Sequence, residues 1–480
     1  LFNFQGESFL FPELDYLKHG VMILNRLIYF IKKNLSVNKL TAPSFAYSNL
    51  RGQVYADDTQ YNRKYWNVIF KPSFNQDEEA FYRRAYYGGV TLVMPEKDNK
   101  LFNCIGYSFD VNSEYPSAMT EDYPNPETRN FGNNLIMKMI YDRHDFNAKN
   151  SFYRIQVKSM KLKKGAVPCF PKKTSRFSAG GSVISKADLK HDVVTLIGYD
   201  LEHIETNYDI EFDFLDGCYF AQKLTKPFYS FVKKMSKLKE RATRDHNKAL
   251  KLVAKLNLNS CYGKLAERFN NEDTLVSWNE GKETFELSTE FNDRDWKPKG
   301  NIVLGAIVTA KARNILLTEA EKLNASCLFD VTYFDTDSIH GNYNGRFYKQ
   351  LERIAQDLRE GKEVDHDKLN EIHIKVCNEL QLKYDEAKLG YFKAEGFYDT
   401  SIYLGPKRYL EKDLIEGDNY KIAGVQKQGK EYIATKPIDW LRYTKDRELI
   451  VPFTKTVRVH GGYKFIDTYK ILSSDALYTS

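Results

Sequence analysis

Three aspartates stand where a carboxylate could do chemistry. Asp110 lies in Ser108-Phe109-Asp110-Val111-Asn112-Ser113-Glu114-Tyr115-Pro116, where Phe109 and Val111 flank the acid and Pro116 ends the extended run. Asp335 and Asp337 lie in Thr332-Tyr333-Phe334-Asp335-Thr336-Asp337-Ser338-Ile339-His340, with apolar residues on both sides like two strands of a hairpin. Two positions apart on a strand, their side chains would share a face, and at a turn they would crowd together. Like charges that close are costly unless a cation neutralises them. Oxygen ligands without His or Cys suit Mg2+ or a similar hard ion, which needs only one or two carboxylates plus substrate phosphates. A lone Asp-x-Asp turn is more often a solvated loop, so a second feature has to decide.

Between the two sites, Phe228 to about Glu267 reads as one helix: Pro227 marks its start, no Pro interrupts it, and Gly263 comes only near its end. At roughly 100° per residue, Arg244, Lys248, Lys251, Lys255, Asn259 and Tyr262 fall within about 80° of arc. Ala249, Leu250, Val253 and Leu256 lie on the other side, so one packed face and one ladder of cations are expected. A basic helix face is commonly just solubilising. Facing clustered carboxylates, however, such lysines suit a triphosphate with bound Mg2+: cations for the outer phosphates, metal for the reacting one.

The elements that must position these residues follow from periodicity and punctuation. An apolar-periodic helix fits Asp15 to Lys33, followed by a polar, loop-rich stretch to about Tyr86. Strand signals follow at Val90 to Met94 and at Ile105 to Phe109, the latter ending in Asp110. Residues 121–230 read as a mixed α/β insertion with a turn at Gly180-Gly181 and a basic group of Lys161, Lys163, Lys164, Lys172, Lys173 and Arg176, which is usually just a solvated face. Strand-like and turn-like residues occupy 268–303, a helix fits Gly305 to Leu323, and a hairpin fits Cys327 to Tyr343.

Composition bounds the rest. At 480 residues, 42% hydrophobic and 28% charged, the chain is no small disulfide scaffold, coiled-coil rod or disordered tail. The longest apolar stretch, Gly20 to Ile31, is interrupted by Asn25 and Arg26 and falls short of the roughly 18 to 20 residues a membrane span needs. A net charge of +7 favours polyanionic partners only weakly. The 33 Tyr and 31 Phe against 4 Trp would suit stacking on bases, although AT-rich coding bias explains them equally well. Six scattered cysteines (Cys104, Cys169, Cys218, Cys261, Cys327 and Cys377) read as buried, reduced thiols of a cytosolic protein. Leu1 opens no basic-then-apolar leader, so no secretory signal is expected, and a non-Met start is what a fragment would show.

Three motifs then resemble those of one family. Asp110-x-x-Ser113-x-Tyr115-Pro116, Lys255-x-x-x-Asn259-Ser260-x-Tyr262-Gly263 and Tyr333-x-Asp335-Thr336-Asp337-Ser338 resemble motifs A, B and C of family B DNA polymerases, in the required order. Tyr86-x-Gly88-Gly89 resembles the linker motif between exonuclease and polymerase regions, and Lys407-Arg408-Tyr409 the Lys-x-Tyr primer-strand motif. The insertions resemble the two terminal-protein regions of protein-primed polymerases, which copy linear phage genomes and some linear plasmids.

The resemblance implies an α+β right hand. Its parts would be an exonuclease remnant at 1–45, palm at 46–120 and 301–435, terminal-protein regions at 121–230 and 267–300, fingers at 231–266 and thumb at 436–480. It implies that Asp110 and Asp337 bind two Mg2+ ions, or Mn2+ in their place, with the Val111 carbonyl as a further ligand and Asp335 as accessory carboxylate. Lys255, Lys251 and Lys239 would hold the dNTP triphosphate, and Tyr115 would stack under the deoxyribose and exclude a 2′-hydroxyl. Asn259 and Tyr262 would form the nascent-pair pocket. For DNA, Gly263 would admit the template backbone, Lys407 and Tyr409 would grip the primer, and Ser113, Tyr86, Gly88 and Gly89 would line the path. Primer-template DNA, dNTPs and a terminal protein would be the partners of a monomer in the host cytoplasm.

Two departures stand out. Glu114 occupies a position where the family commonly has Leu, and Gly20 in Tyr16-Leu17-Lys18-His19-Gly20 replaces the metal-binding Asp of the third exonuclease motif. No 3′-to-5′ exonuclease activity is therefore expected of this chain. The rival reading is a non-catalytic remnant that binds DNA or terminal protein, against which the retained Asp110, Asp335, Asp337 and Lys255 argue. A reverse transcriptase is disfavoured because that family sets its two hairpin acids side by side.

Overall fold

The apolar residues around Asp110 and around the Asp335-x-Asp337 turn become the middle of one antiparallel sheet. The computed structural model describes residues 42–56, 66–172, 183–268, 272–279, 284–291, 296–385, 388–422, 425–436, 449–459 and 462–472. The sheet has eight strands, in the order Val90–Val93, Phe329–Thr336, Ser338–Tyr343, Gly106–Val111, Phe392–Gly405, Arg408–Asp413 and Asn419–Ile422, with Leu101–Phe102 beside Phe392–Gly405. Register places Ser338 opposite Asp110 on one side and Lys393 opposite it on the other. Opposed residues of antiparallel strands share a face, so these three side chains form a row across the sheet.

What holds the row is the apolar set beneath it. Tyr107, Phe109, Phe329, Val331 and Ile339 are buried with Leu316, Leu317 and Leu323 of the helix Ile302–Ala325, and with Leu351, Leu369 and Val376 of the helices Tyr348–Arg359 and His366–Glu379. The helix Ile302–Ala325 begins at Asn301, whose side-chain oxygen accepts from the Leu304 N–H while its amide donates to the Val68 and Ile69 carbonyls. Its first half, Ile302 to Ala310, lies in a second core shared with Leu258, Cys261 and Phe231. One helix thus joins the sheet to the lysine-bearing helices.

Residues 129–220 build their own antiparallel sheet, in the order Arg129–Asn133, Tyr208–Phe220, Phe152–Leu162 and Val193–Ile197. Two further hairpins pair Glu272–Asn279 with Thr284–Phe291 and Leu449–Val459 with Gly462–Leu472. Among the described residues no helix is long and apolar enough to cross a membrane.

Several expectations need correction. The stretch before Tyr86 is helical where described, at Ala42–Ala56, Trp66–Phe70 and Gln76–Arg84. Phe45, Ala46, Leu50 and Val54 bury one side of the first, and Asn75 with Glu78 forms a capping box on the last. The single helix from Phe228 is two, Tyr229–Arg244 and Lys248–Leu265. His246 adopts φ 51° between them, and Asn247 caps the second by accepting from the Leu250 N–H. Arg244 therefore does not belong to the ladder. The buried stripe is Val253, Ala254, Asn257, Leu258, Cys261 and Leu265, leaving Leu252 and Leu256 exposed. Of the cysteines, Cys327 is exposed and Cys104 half-buried. Lys161, Lys164 and Lys172 face solvent as expected, but Lys163 donates to the Glu205 and Thr206 carbonyls at the end of the helix Gly198–Asn207. The helix expected at Asp15 to Lys33, the segment Tyr16 to Gly20, the turn at Gly180-Gly181, Lys173 and Arg176 lie outside the described residues.

Candidate active site

Asp110 is the penultimate residue of its strand, and the backbone then turns sharply. The Val111 N–H donates to the Asp337 carbonyl at 2.8 Å, Ser113 takes φ 55°, and the short helix Glu114–Ala118 follows. Across the sheet Thr336 takes φ 69° and the Asp337 N–H bonds back to the Asp335 carbonyl at 2.8 Å. Left-handed backbone at a β-branched residue is strained. Asp335 pairs with Lys407 at 2.7 Å yet stays close enough for its charge to raise Asp337, and the Asp337 charge in turn raises Asp110.

Burial, then the neighbouring Asp337 and Glu395 charges, push the Asp110 carboxyl up to about 7. Burial also raises Asp337, whose own backbone N–H works against it while Asp335 adds to it. Two acids this close repel each other, and a divalent cation would offset that repulsion beyond what Lys393 does for Asp110. No group of three or more His, Cys, Asp or Glu is gathered at metal-binding distance among the described residues. Two carboxylates with a carbonyl, water and substrate phosphates still fit Mg2+, which seldom uses an all-protein cage.

Lysines surround this pair. Burial lowers Lys239, and the cations next in effect are Lys255, Lys393 and Lys251, so four lysines share one region with Asp110. Lys239 also reaches Ser113 Oγ at 3.4 Å. Lys251, Lys255 and Asn259 are exposed along their helix, as is Gly263, where an added Cβ would meet nothing within 4 Å. Nothing among the described residues demands glycine there. Tyr115 and Tyr262 meet as a stacked pair. Gly89 passes so close that a Cβ would sit 2.6 Å from Thr336 Cγ2 and 3.2 Å from the Tyr115 hydroxyl, so only glycine fits.

The linker segment is fixed from behind. Tyr86 is half-buried, and the Tyr87 and Gly88 carbonyls accept from Arg313 at 2.8 and 2.9 Å. The same guanidinium grips both carboxylate oxygens of Asp200, at 2.8 and 2.7 Å, and both side chains are almost wholly buried. Lys407 takes φ 54° and its N–H donates to the Tyr333 hydroxyl at 2.7 Å. Tyr409 differs from its expected place on a DNA surface: it is 3% exposed and packs with Tyr333, Tyr403 and His340. That cluster rests on the buried array Ser338 Oγ, His340 and Glu411, with contacts of 2.8 and 2.6 Å.

Lys393, Arg313 and Glu411 were missed from sequence. Lys393 and Glu395 alternate on one strand, which marks a shared face, but only strand register shows that the face carries Asp110. Glu114, the departure beside the first aspartate, is buried with neither carboxylate oxygen hydrogen-bonded among the described residues, and burial followed by the Asp337 and Asp110 charges raises it far above the usual carboxylate range.

The architecture is the α+β right hand of polymerases. The structure of phi29 DNA polymerase complexed with primer-template DNA and incoming nucleotide substrates superposes with a TM-score of 0.71 at 21% identity, covering 98% of this chain and 76% of that one. The chain belongs to the DNA polymerases of type B, organellar and viral, whose family model matches residues 4–359. It is 27% identical over 409 residues to the DNA polymerase of Bacillus phage Nf, covering 84% of this chain and 60% of that one. To the DNA polymerase of Bacillus phage phi29 it is 26% identical over 476 residues, covering 95% and 71%. The chain thus spans about 60% of the length of the first of these relatives.

Proposed function

We propose that this chain is a DNA-directed DNA polymerase that adds dNTPs to a primer 3′-hydroxyl, or to a terminal-protein hydroxyl, in replicating a linear phage or plasmid genome. The observation that carries this reading is the Asp110 and Asp337 pair facing Lys239, Lys251 and Lys255. Two Mg2+ ions, held by Asp110, Asp337 and the Val111 carbonyl, would lower the pKa of the attacking hydroxyl and stabilise charge on the transferring phosphoryl group. The lysines bind the outer phosphates and offset the charge of the pyrophosphate. Tyr115 carries the sugar on its ring, while Tyr262 and Asn259 border the base pair. Gly263, Gly88 and Gly89 let the DNA backbone come close. Lys407 reaches the primer end with Asp335 as its resting partner, and Tyr409 acts from below by packing against Tyr333.

In this reading the palm is 46–120 with 301–435, the fingers 231–266 and the thumb 436–480, while 121–230 and 267–300 contact terminal protein and duplex. The protein works as a monomer in the host cytoplasm. Extension of a primed template with Mg2+ and dNTPs, run beside Asp337→Asn, tests it. Extension by the parent and none by the variant is expected. A parent that shifts primer-template in a gel yet adds no nucleotide at low salt is instead a DNA-binding remnant.

A further inference from the structure

Lys393 stands directly opposite Asp110 in the sheet register. Its Nζ lies 3.2 Å from Asp110 Oδ2 and, at the same time, 2.8 Å from Glu395 Oε1. The lysine is 32% exposed and Glu395 55%, so the first contact points into the site and the second lies at its rim. A cation this close to Asp110 competes with any metal ion for the same carboxylate, because two positive charges sharing one acid repel. The lysine also neighbours Lys239 on the side where the phosphates would lie. It therefore has three partners within one side chain's reach: Asp110, Glu395 and an incoming anion.

Resting on the polymerase reading above, we propose that Lys393 is a displaceable counter-ion: it neutralises Asp110 until the metal-bound nucleotide arrives, then releases that carboxylate, stays tethered to Glu395 and takes up a phosphate oxygen. No bond is made or broken; one ion pair replaces another. Glu395 is the positioning residue that decides how firmly the lysine leans on Asp110. Without Glu395 the lysine keeps Asp110 as its one acidic partner among the described residues.

The test is Mn2+ binding to the full chain without DNA or nucleotide, followed by electron paramagnetic resonance, with dNTP affinity measured separately by single-turnover extension. Lys393→Met should bind Mn2+ about three- to tenfold more tightly and dNTP more weakly by a similar factor. Glu395→Gln should change Mn2+ affinity in the opposite direction, and Lys393→Arg should stay near the parent. Misfolding would weaken binding in both variants, so opposite signs separate displacement from damage. Equal or weaker Mn2+ binding by Lys393→Met overturns the proposal. Asp110→Asn binding Mn2+ as the parent does would instead overturn the polymerase reading on which it rests.

Discussion

The rings of Tyr115 and Tyr262 lie face to face, centroids 4.2 Å apart and planes 4° apart. They come from the helix after Asp110 and from the helix Lys248–Leu265, so the stack joins the acid-bearing and lysine-bearing elements. In the proposed reading a sugar carried on Tyr115 would lie against a ring whose hydroxyl borders Gly89. Tyr115→Val should raise ribonucleotide incorporation relative to dNTP by about ten- to a hundredfold. Ratios of kcat/KM for matched rNTP and dNTP measure this, and an unchanged ratio removes Tyr115 from sugar sensing.

Asp110, raised to about 7, sets a pH dependence. Its carboxyl ionises near pH 4 in an unfolded chain, so between about pH 4 and pH 7 the folded state holds an extra proton. That stabilisation is complete below the unfolded value and is lost as pH rises through the folded one. Mg2+ should therefore raise the thermal midpoint more at about pH 8 than at about pH 5.5, and Asp110→Asn should flatten the difference. Scanning fluorimetry in chelator and in Mg2+ reads it; a gain independent of pH would count against the metal assignment.

Glu114 is 2% exposed with no hydrogen-bond partner for either oxygen among the described residues. Glu114→Leu removes a desolvated carboxyl at nearly constant volume and should stabilise the chain by about 1–3 kcal/mol in urea unfolding. Glu114→Gln keeps a buried polar group and should gain less. A loss of stability with Leu would mean the carboxyl is satisfied in solution.

Arg313 and Asp200 form a buried, two-pronged pair that also holds the Tyr87 and Gly88 carbonyls. Arg313→Ala strands a buried carboxylate and should cost about 3–5 kcal/mol. Arg313→Lys should not restore it, because one ammonium cannot reproduce the planar fork. Arg313→Met with Asp200→Leu should cost less than Arg313→Ala alone, since neither charge is orphaned. Equilibrium denaturation measures all three; full recovery with Lys would refute the geometric argument.

Local pattern made part of this legible. The apolar residues around Asp110 and Asp337 marked strands, and the turn between Asp335 and Asp337 was visible as a hairpin. The pairing of Asp335 with Lys407 was not, since the lysine lies 72 residues further along the chain. The break between the helices Tyr229–Arg244 and Lys248–Leu265 was not legible, because no Pro or Gly marks Asp245 to Asn247. The burial of Tyr409 and the meeting of Lys393 with Asp110 are products of strand register, which no short window of sequence contains.

The Arg313 anchor also bears on how this molecule could be rebuilt. Asp200 belongs to the 121–230 segment, whereas Arg313 and the carbonyls it holds belong to the body beneath the aspartates. That segment is consequently not a free cassette. A chimera that borrows it from a relative must bring an acid to position 200 or remove the arginine as well, or the transplanted part will loosen the glycine loop lying over Thr336 and Tyr115.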